Sequence, residues 1–215
     1  MTISTELIRQ LSEFDAATLY EAAGQQGMVD PAIRPTWPGA HVCGTAITLS
    51  CPPKDNLMMH HAVAVSEPGT VLVANAQRYQ YAGAWGEVLT VAAQARGIAG
   101  LVIDGAVRDI EAIFERRFPV FSRGLAIGAC KKEKIGTMNE PVDLGGVTVR
   151  SGDVVVGTAD GVVVLAQASV EQVLRAAVAR RNREREIFKQ LAAGKTTIEI
   201  LGLPGLDGTH RKAAK

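Results

Sequence analysis

Apolar positions along this chain switch repeatedly between a period near 3.6 and a period of two, and the switches mark out alternating helices and strands. Thr5 to Leu11 reads as a short helix. Asp15 can cap a second one, which carries Tyr20 and Ala23 and ends at Gly24. Pro31, Pro35 and Pro38 mark an irregular stretch. Val42 to Leu49 alternates as a strand does, and Cys51-Pro52-Pro53 closes it. Asp55 starts a helix holding Leu57, Met58, Ala62 and Val65, and Gly69 breaks the pattern before an apolar strand over Thr70 to Ala74.

The central stretch has the clearest rhythm. Gly83 to Arg96 places Val88, Leu89, Ala92, Ala93 and Ala95 at helical spacing, with Gly97 as the stop. Ala99 to Ile103 is a buried strand and Asp104-Gly105 a turn. Asp109 then opens a helix whose Ile110, Ile113 and Phe114 face inward, and Phe118 to Phe121 is the next strand. This alternation predicts parallel pairing, with ligands at the carboxyl ends of the strands. From Pro141 to Ala166, short β-rich runs (Val147–Val149, Val154–Val156, Val162–Leu165) alternate with glycine turns, as in antiparallel pairing. Ser169 to Ala193 is one long helix. Its apolar side holds Val173, Leu174, Ala177 and Val178, and a charged run follows from Arg180 to Glu186. With no internal repeat and no dividing linker, a single domain is expected over residues 1–205, followed by a flexible polar tail over 206–215.

Composition narrows the partners more than the fold. The chain has 215 residues, 47% hydrophobic and 21% charged, as ordinary globular chains have. Lys plus Arg (23) nearly balances Asp plus Glu (22), so neither nucleic acid nor a membrane surface has an electrostatic claim. Cys43, Cys51 and Cys130 form no C-x-x-C pair and leave one thiol over in any disulfide scheme, which suits a reducing cytoplasm. The start MTISTELIRQ has no apolar signal core, and no apolar run approaches the ~20 residues a membrane helix needs.

Two loops that precede helices hold the candidate chemistry. In Gly83-Ala84-Trp85-Gly86-Glu87-Val88-Leu89, the first-turn N–H groups can face an anion, and Gly86 allows close approach to the backbone. In Asp104-Gly105-Ala106-Val107-Arg108-Asp109, a guanidinium fork sits beside a carboxylate at a strand end. Such a pair equally suits a helix cap and a structural ion pair. Trp85 is expected to anchor its loop in the core, and Asp104 to form the turn before Gly105.

Both loops together, G-E-V-L-T-V-A-A-Q-A-R-G-I-A-G-L-V-I-D-G-A-V-R-D over Gly86 to Asp109, resemble the signature of the RraA-like family. The likeness extends through Asp55-Asn56-Leu57, Gly152-Asp153-Val154-Val155, Asp160-Gly161-Val162-Val163 and Leu191-Ala192-Ala193-Gly194, covering about residues 5 to 203. The family includes 4-hydroxy-4-methyl-2-oxoglutarate and 4-carboxy-4-hydroxy-2-oxoadipate aldolases, which also decarboxylate oxaloacetate. The resemblance implies an α/β fold of the swivelling β/β/α kind, with helices flanking a central β layer. It implies a homotrimer or hexamer with active sites at subunit interfaces, acting on a small 2-oxo acid. Asp109 would bind Mg²⁺, or Mn²⁺ or Co²⁺, directly. Arg108 would contact the keto oxygen and stabilise the enolate. The backbone from Gly86 through Glu87 and Val88 to Leu89 would bind the substrate carboxylate. Glu87, where many members have Asp, would hold a metal-bound water. Glu184 from a neighbouring subunit would complete the outer shell, with Glu186 as its competitor.

Other signals carry less. Lys54 follows a Pro-Pro turn, and Lys131, Lys132 and Lys134 form a charge run, so no desolvated lysine stands ready for an imine mechanism. His60 and His61 are adjacent and lack zinc spacing. Because their helix follows a strand end, one of them packing near the pocket is the alternative, but core or surface duty is expected. The rival from another class is a ribonuclease E inhibitor-like binding protein, and a lyase for a different 2-oxo acid is a further one. A methyltransferase is set aside for want of a Gly-rich nucleotide loop followed by an acidic strand end.

Overall fold

Runs of Val, Ile and Leu buried on both faces need a covering on each side, and here helices supply it. The computed structural model describes residues 3–205. In chain order the elements are α1 (Thr5–Leu11), α2 (Ala16–Ala22), β1 (Arg34–Pro35), β2 (Val42–Ser50), α3 (Leu57–Val65), β3 (Thr70–Asn75), α4 (Glu87–Ala95) and β4 (Gly100–Val107). Then follow α5 (Ile110–Glu115), β5 (Val120–Leu125), β6 (Thr137–Met138), β7 (Val142–Leu144), β8 (Val147–Val149), β9 (Val154–Thr158), β10 (Gly161–Leu165), α6 (Val170–Ala192) and α7 (Thr197–Leu201).

The main sheet runs β1-β5-β4-β3-β2-β9-β10, with β6 also on β2, while β7 and β8 pair by themselves. Strands β2 to β5 are parallel neighbours, and β9 and β10 join antiparallel. Met28 bridges Val163 of β10, and a few residues later Arg34 and Pro35 pair with Ser122 and Phe121 of β5. This one segment therefore touches both ends of the sheet, which nearly closes on itself. Helices flank it, as the swivelling α/β reading expects. Met59, Ala62, Leu89, Ala93 and Ile113 share a core with Leu49, Leu101, Ile103 and Phe121. Leu11, Leu19, Val173 and Ala177 share a second with Val154, Val156, Val163 and Leu165. Each of these Val, Leu, Ile, Met or Phe side chains, fully buried, contributes about 1.5–3 kcal/mol. Among the described residues no helix is long and apolar enough to cross a membrane.

Local signals held at the helix starts. The Asp15 carboxylate accepts the Thr18 N–H at 2.6 Å, and the Ser4 hydroxyl accepts that of Leu7. Long-range partners overrode other signals. Asp104-Gly105 is not a turn: both residues lie inside β4, where the register against β5 shifts between Ile103 and Ala106. Asp104 is 1% exposed, and its carboxylate pairs with Arg123 on β5 and accepts the Gly145 N–H at 3.1 Å. A residue that far from water needs partners, and β5 supplies one. Helix α4 starts at Glu87 rather than Gly83, because the Gly83 and Ala84 N–H groups are taken by the carbonyls of Gly128 and Ala106. Phe114 does not face inward; at 39% exposed it lies against Trp37 and under the Arg117 guanidinium. The tail expected over 206–215 lies outside the described residues.

Candidate active site

The end of β4 and the loop before α4 are laced together before any side chain takes part. The Ala84 N–H donates to the Ala106 carbonyl, and the Arg108 N–H to the Trp85 carbonyl, both at 2.8 Å. Trp85 is the anchor: it is fully buried, stacks on Phe118 and donates through Nε1 to the Thr90 hydroxyl at 2.8 Å. Glycine permits this proximity. A Cβ on Gly83 would meet the Ala126 carbonyl oxygen and Arg108 Cβ at 2.7 Å, and one on Gly86 would meet Asp109 Oδ2 at 2.3 Å.

Asp109 precedes α5 with φ 58 and ψ 39, a left-handed conformation that costs a non-glycine residue energy and gathers at functional sites. Its side chain caps nothing on α5. Instead Oδ2 accepts the Glu87 N–H of α4 at 3.1 Å. Arg108 Nε lies 3.6 Å from the same oxygen, and both side chains are 42% exposed. That is a loose, wetted contact rather than a closed structural pair.

The first full helical bond of α4 runs from the Thr90 N–H to the Gly86 carbonyl. Glu87 spends its N–H on Asp109, which leaves the Val88 and Leu89 N–H groups without an acceptor among the described residues. Orphan donors in a helix's first turn, at the positive end of its dipole, favour an anion. Both residues line a cavity of about 160 Å³ whose walls also include Gly83, Ala84, Gly86, Arg108 and Asp109.

Sequence reasoning missed two further walls, Asn56 and Lys132, and ranked a place near the pocket second for the third, His60. Asn56 is 8% exposed; its Nδ2 donates to the Ala84 carbonyl at 2.8 Å, while its Oδ1 has no partner. His60 Nε2 is likewise buried and unpartnered, and the residue lines the cavity. Burial first, then the charges of Lys132 and His61, hold its pKa below the ordinary histidine value. Buried polar atoms rarely stay unsatisfied, and these two belong to residues that line one cavity. The one usable signal was Asn56 beside a helix start at a strand end.

Not every expected residue is on that wall. Glu87 Oε1 receives Arg116 Nη2 at 2.7 Å and Nε at 3.1 Å, so its carboxylate points toward α5. On α6, Glu184 pairs with Arg180 at 3.0 Å and Glu186 with Lys189 at 3.3 Å. Cys130 does line the cavity, but burial pushes its thiol pKa up and burial pushes that of Cys51 up to about 12, which disqualifies both as nucleophiles.

Comparison with known proteins gives the family and the fold. The family described as RraA-like, Aldolase/RraA, matches residues 14–164. A Halalkalibacterium halodurans protein named "Putative 4-hydroxy-4-methyl-2-oxoglutarate aldolase" is 34% identical over 198 residues, covering 90% of this chain and 94% of its own. A crystal structure of an uncharacterized Pseudomonas syringae protein superposes with a TM-score of 0.83 at 28% identity, over 91% of this chain and 96% of that one. Streptomyces coelicolor RraAS2, described as an unusual member of the RNase ES inhibitor RraA protein family, superposes with a TM-score of 0.77 at 26% identity, over 86% and 96%.

Proposed function

The chain belongs to the RraA-like family, and from that premise we propose that it is a divalent-metal-dependent lyase that breaks a carbon–carbon bond in a small 2-oxo acid. Its substrates would be 4-hydroxy-4-methyl-2-oxoglutarate or 4-carboxy-4-hydroxy-2-oxoadipate, with oxaloacetate decarboxylated at the same site. One observation carries the reading: Val88 and Leu89, whose amides are unbonded, line the same small cavity as Arg108 and Asp109.

The donor set fits a hard cation. Among the described residues Asp109 is the one carboxylate on the cavity wall, and no three His, Cys, Asp or Glu side chains converge as a closed zinc site would need. Magnesium commonly takes one or two carboxylates and keeps its waters, so Asp109 would hold it, with Mn²⁺ or Co²⁺ as substitutes. When bound, the cation supplies electrophilic polarisation of the 2-oxo group.

The chain's own groups do the rest. The Val88 and Leu89 amides bind the substrate carboxylate and fix its rotation. The Arg108 fork donates to the C2 oxygen as the C3–C4 bond breaks and its electron pair moves to form the pyruvate enolate. In the aldol substrate the C4 hydroxyl loses its proton and becomes the carbonyl of the second product; in oxaloacetate the same bond releases CO₂. A proton then returns to C3. Glu184, or Glu186, would reach a site from a neighbouring copy in a trimer or hexamer. Glu87 would need to leave Arg116 to hold a water.

Pyruvate release from oxaloacetate and from 4-hydroxy-4-methyl-2-oxoglutarate tests the reading. Turnover with Mg²⁺, abolished by a chelator and restored by added metal, supports it; no turnover with any divalent ion defeats it. Likeness to RraAS2 supports a second reading, a protein that binds and inhibits a ribonuclease. The unbonded Val88 and Leu89 amides beside Arg108 and Asp109 at one cavity favour the enzyme, because a contact surface has no use for them.

A further inference from the structure

Resting on the metal-dependent reading above, we propose that Arg116 is a positioning residue that competes with the cation for Glu87, holding that carboxylate off the Asp109 site and so weakening divalent-metal binding. The backbone brings Glu87 up to the site, because its N–H donates to Asp109 Oδ2 at 3.1 Å. Its side chain is turned the other way, to Arg116 at the carboxyl end of α5. Arg116 does not line the cavity itself. It is held from both helices: its N–H donates to the Ala112 carbonyl at 3.1 Å, and its own carbonyl accepts from Gln94 Nε2 on α4 at 2.8 Å. The guanidinium therefore starts from a fixed point beside α4, and reaching Glu87 costs little conformational freedom.

The pair is built to be exchanged. Arg116 Nη2 at 2.7 Å and Nε at 3.1 Å both converge on Oε1, and Glu87 Oε2 has no partner among the described residues. A guanidinium that meets a carboxylate with one donor on each oxygen is the strong arrangement; two donors on one oxygen forgo it. The two side chains are 39% and 44% exposed, so water screens their attraction. Such a contact delays a carboxylate without trapping it. Near a hard cation the same carboxylate would accept from a metal-bound water, since magnesium keeps several of its waters. Glu87 cannot serve both, because Arg116 draws it toward the end of α5 and the cation would lie at Asp109, at the start.

Titration of the substrate-free protein with Mn²⁺, read from the paramagnetic resonance signal of the free ion, measures the competition without any turnover. Arg116→Met should tighten the Kd by about threefold, in the range that a half-exposed pair can withhold. With Glu87→Gln in place, the same Arg116→Met change should leave the Kd unaltered, because no carboxylate remains to be released. Loss of a positive charge acting only at a distance would tighten binding equally in both backgrounds, so the cycle separates the two effects. Equal tightening in both backgrounds, or a Kd in Arg116→Met that is unchanged or weaker, overturns the proposal and leaves the metal reading standing. Absence of Mn²⁺ binding from all four proteins overturns the metal reading and the proposal with it.

Discussion

The backbone N–H of Glu87 donates to Asp109 Oδ2 at 3.1 Å, so the first residue of α4 positions the acid that precedes α5. Neighbours 22 residues apart in sequence thereby become one unit, and the residues around them act through it.

Gly86 shows this most simply. Its φ of −158° is extended backbone that any residue adopts, so substitution meets no conformational objection. The obstacle is Asp109 Oδ2, at 2.3 Å from a built Cβ. Gly86→Ala should displace that carboxylate and lower pyruvate release from oxaloacetate by about a hundredfold, the usual penalty for a misplacement near 1 Å. The thermal unfolding midpoint should move little.

Arg108→Ala should lower kcat by about two to three orders of magnitude, as loss of an oxyanion donor does. Arg108→Lys should recover only part of it, because one ammonium cannot reproduce a planar fork. Steady-state kinetics on both variants decides the point; near-normal turnover in Arg108→Ala contradicts the role.

How much of this could be read in advance depended on where each partner lies. Arg108, Asp109 and Gly86 stand in two short loops, each before a helix, and their types announce anion and cation chemistry. Asp104-Gly105 carries an equally plain local signal for a turn, and it misleads, because Arg123 on the next strand holds the acid inside β4. Lys132 looks like one member of a charge run until Asp55, far earlier in the chain, is seen to grip its loop. Asn56 and His60 become site residues only when α3 packs beside the α4 loop. Contacts between distant segments were hidden; local chemistry was not.

The Asp104–Arg123 pair gives a stability prediction. Arg123 also donates to Asp30 at 2.8 Å, joining the segment that links both ends of the sheet. Arg123→Met leaves a carboxylate at 1% exposure with only the looser Arg78 guanidinium, 3.5 Å away, as its cation, a loss of about 2–3 kcal/mol. Chemical denaturation should register it, and adding Asp104→Asn should recover a good part.

Asp55 predicts a dependence on acid. Burial alone would raise its pKa, but the N–H groups of Glu133, Leu57 and Lys134 outweigh that and hold it below the usual aspartate value. A depressed folded pKa stabilises above the unfolded value, about pH 3.9, and that stability is lost as pH falls through the folded pKa. Asp55→Asn should therefore be less stable than wild type at pH 7, and the gap should shrink below about pH 4 in urea melts at stepped pH.

Convergence of cation, fork and amides is best tested by a crystal structure with Mn²⁺ and oxalate, a stable mimic of the pyruvate enolate. The account predicts anomalous signal beside Asp109, with oxalate bonded to the Val88 and Leu89 amides and to the Arg108 guanidinium. Metal bound elsewhere, or oxalate absent from those amides, would contradict it.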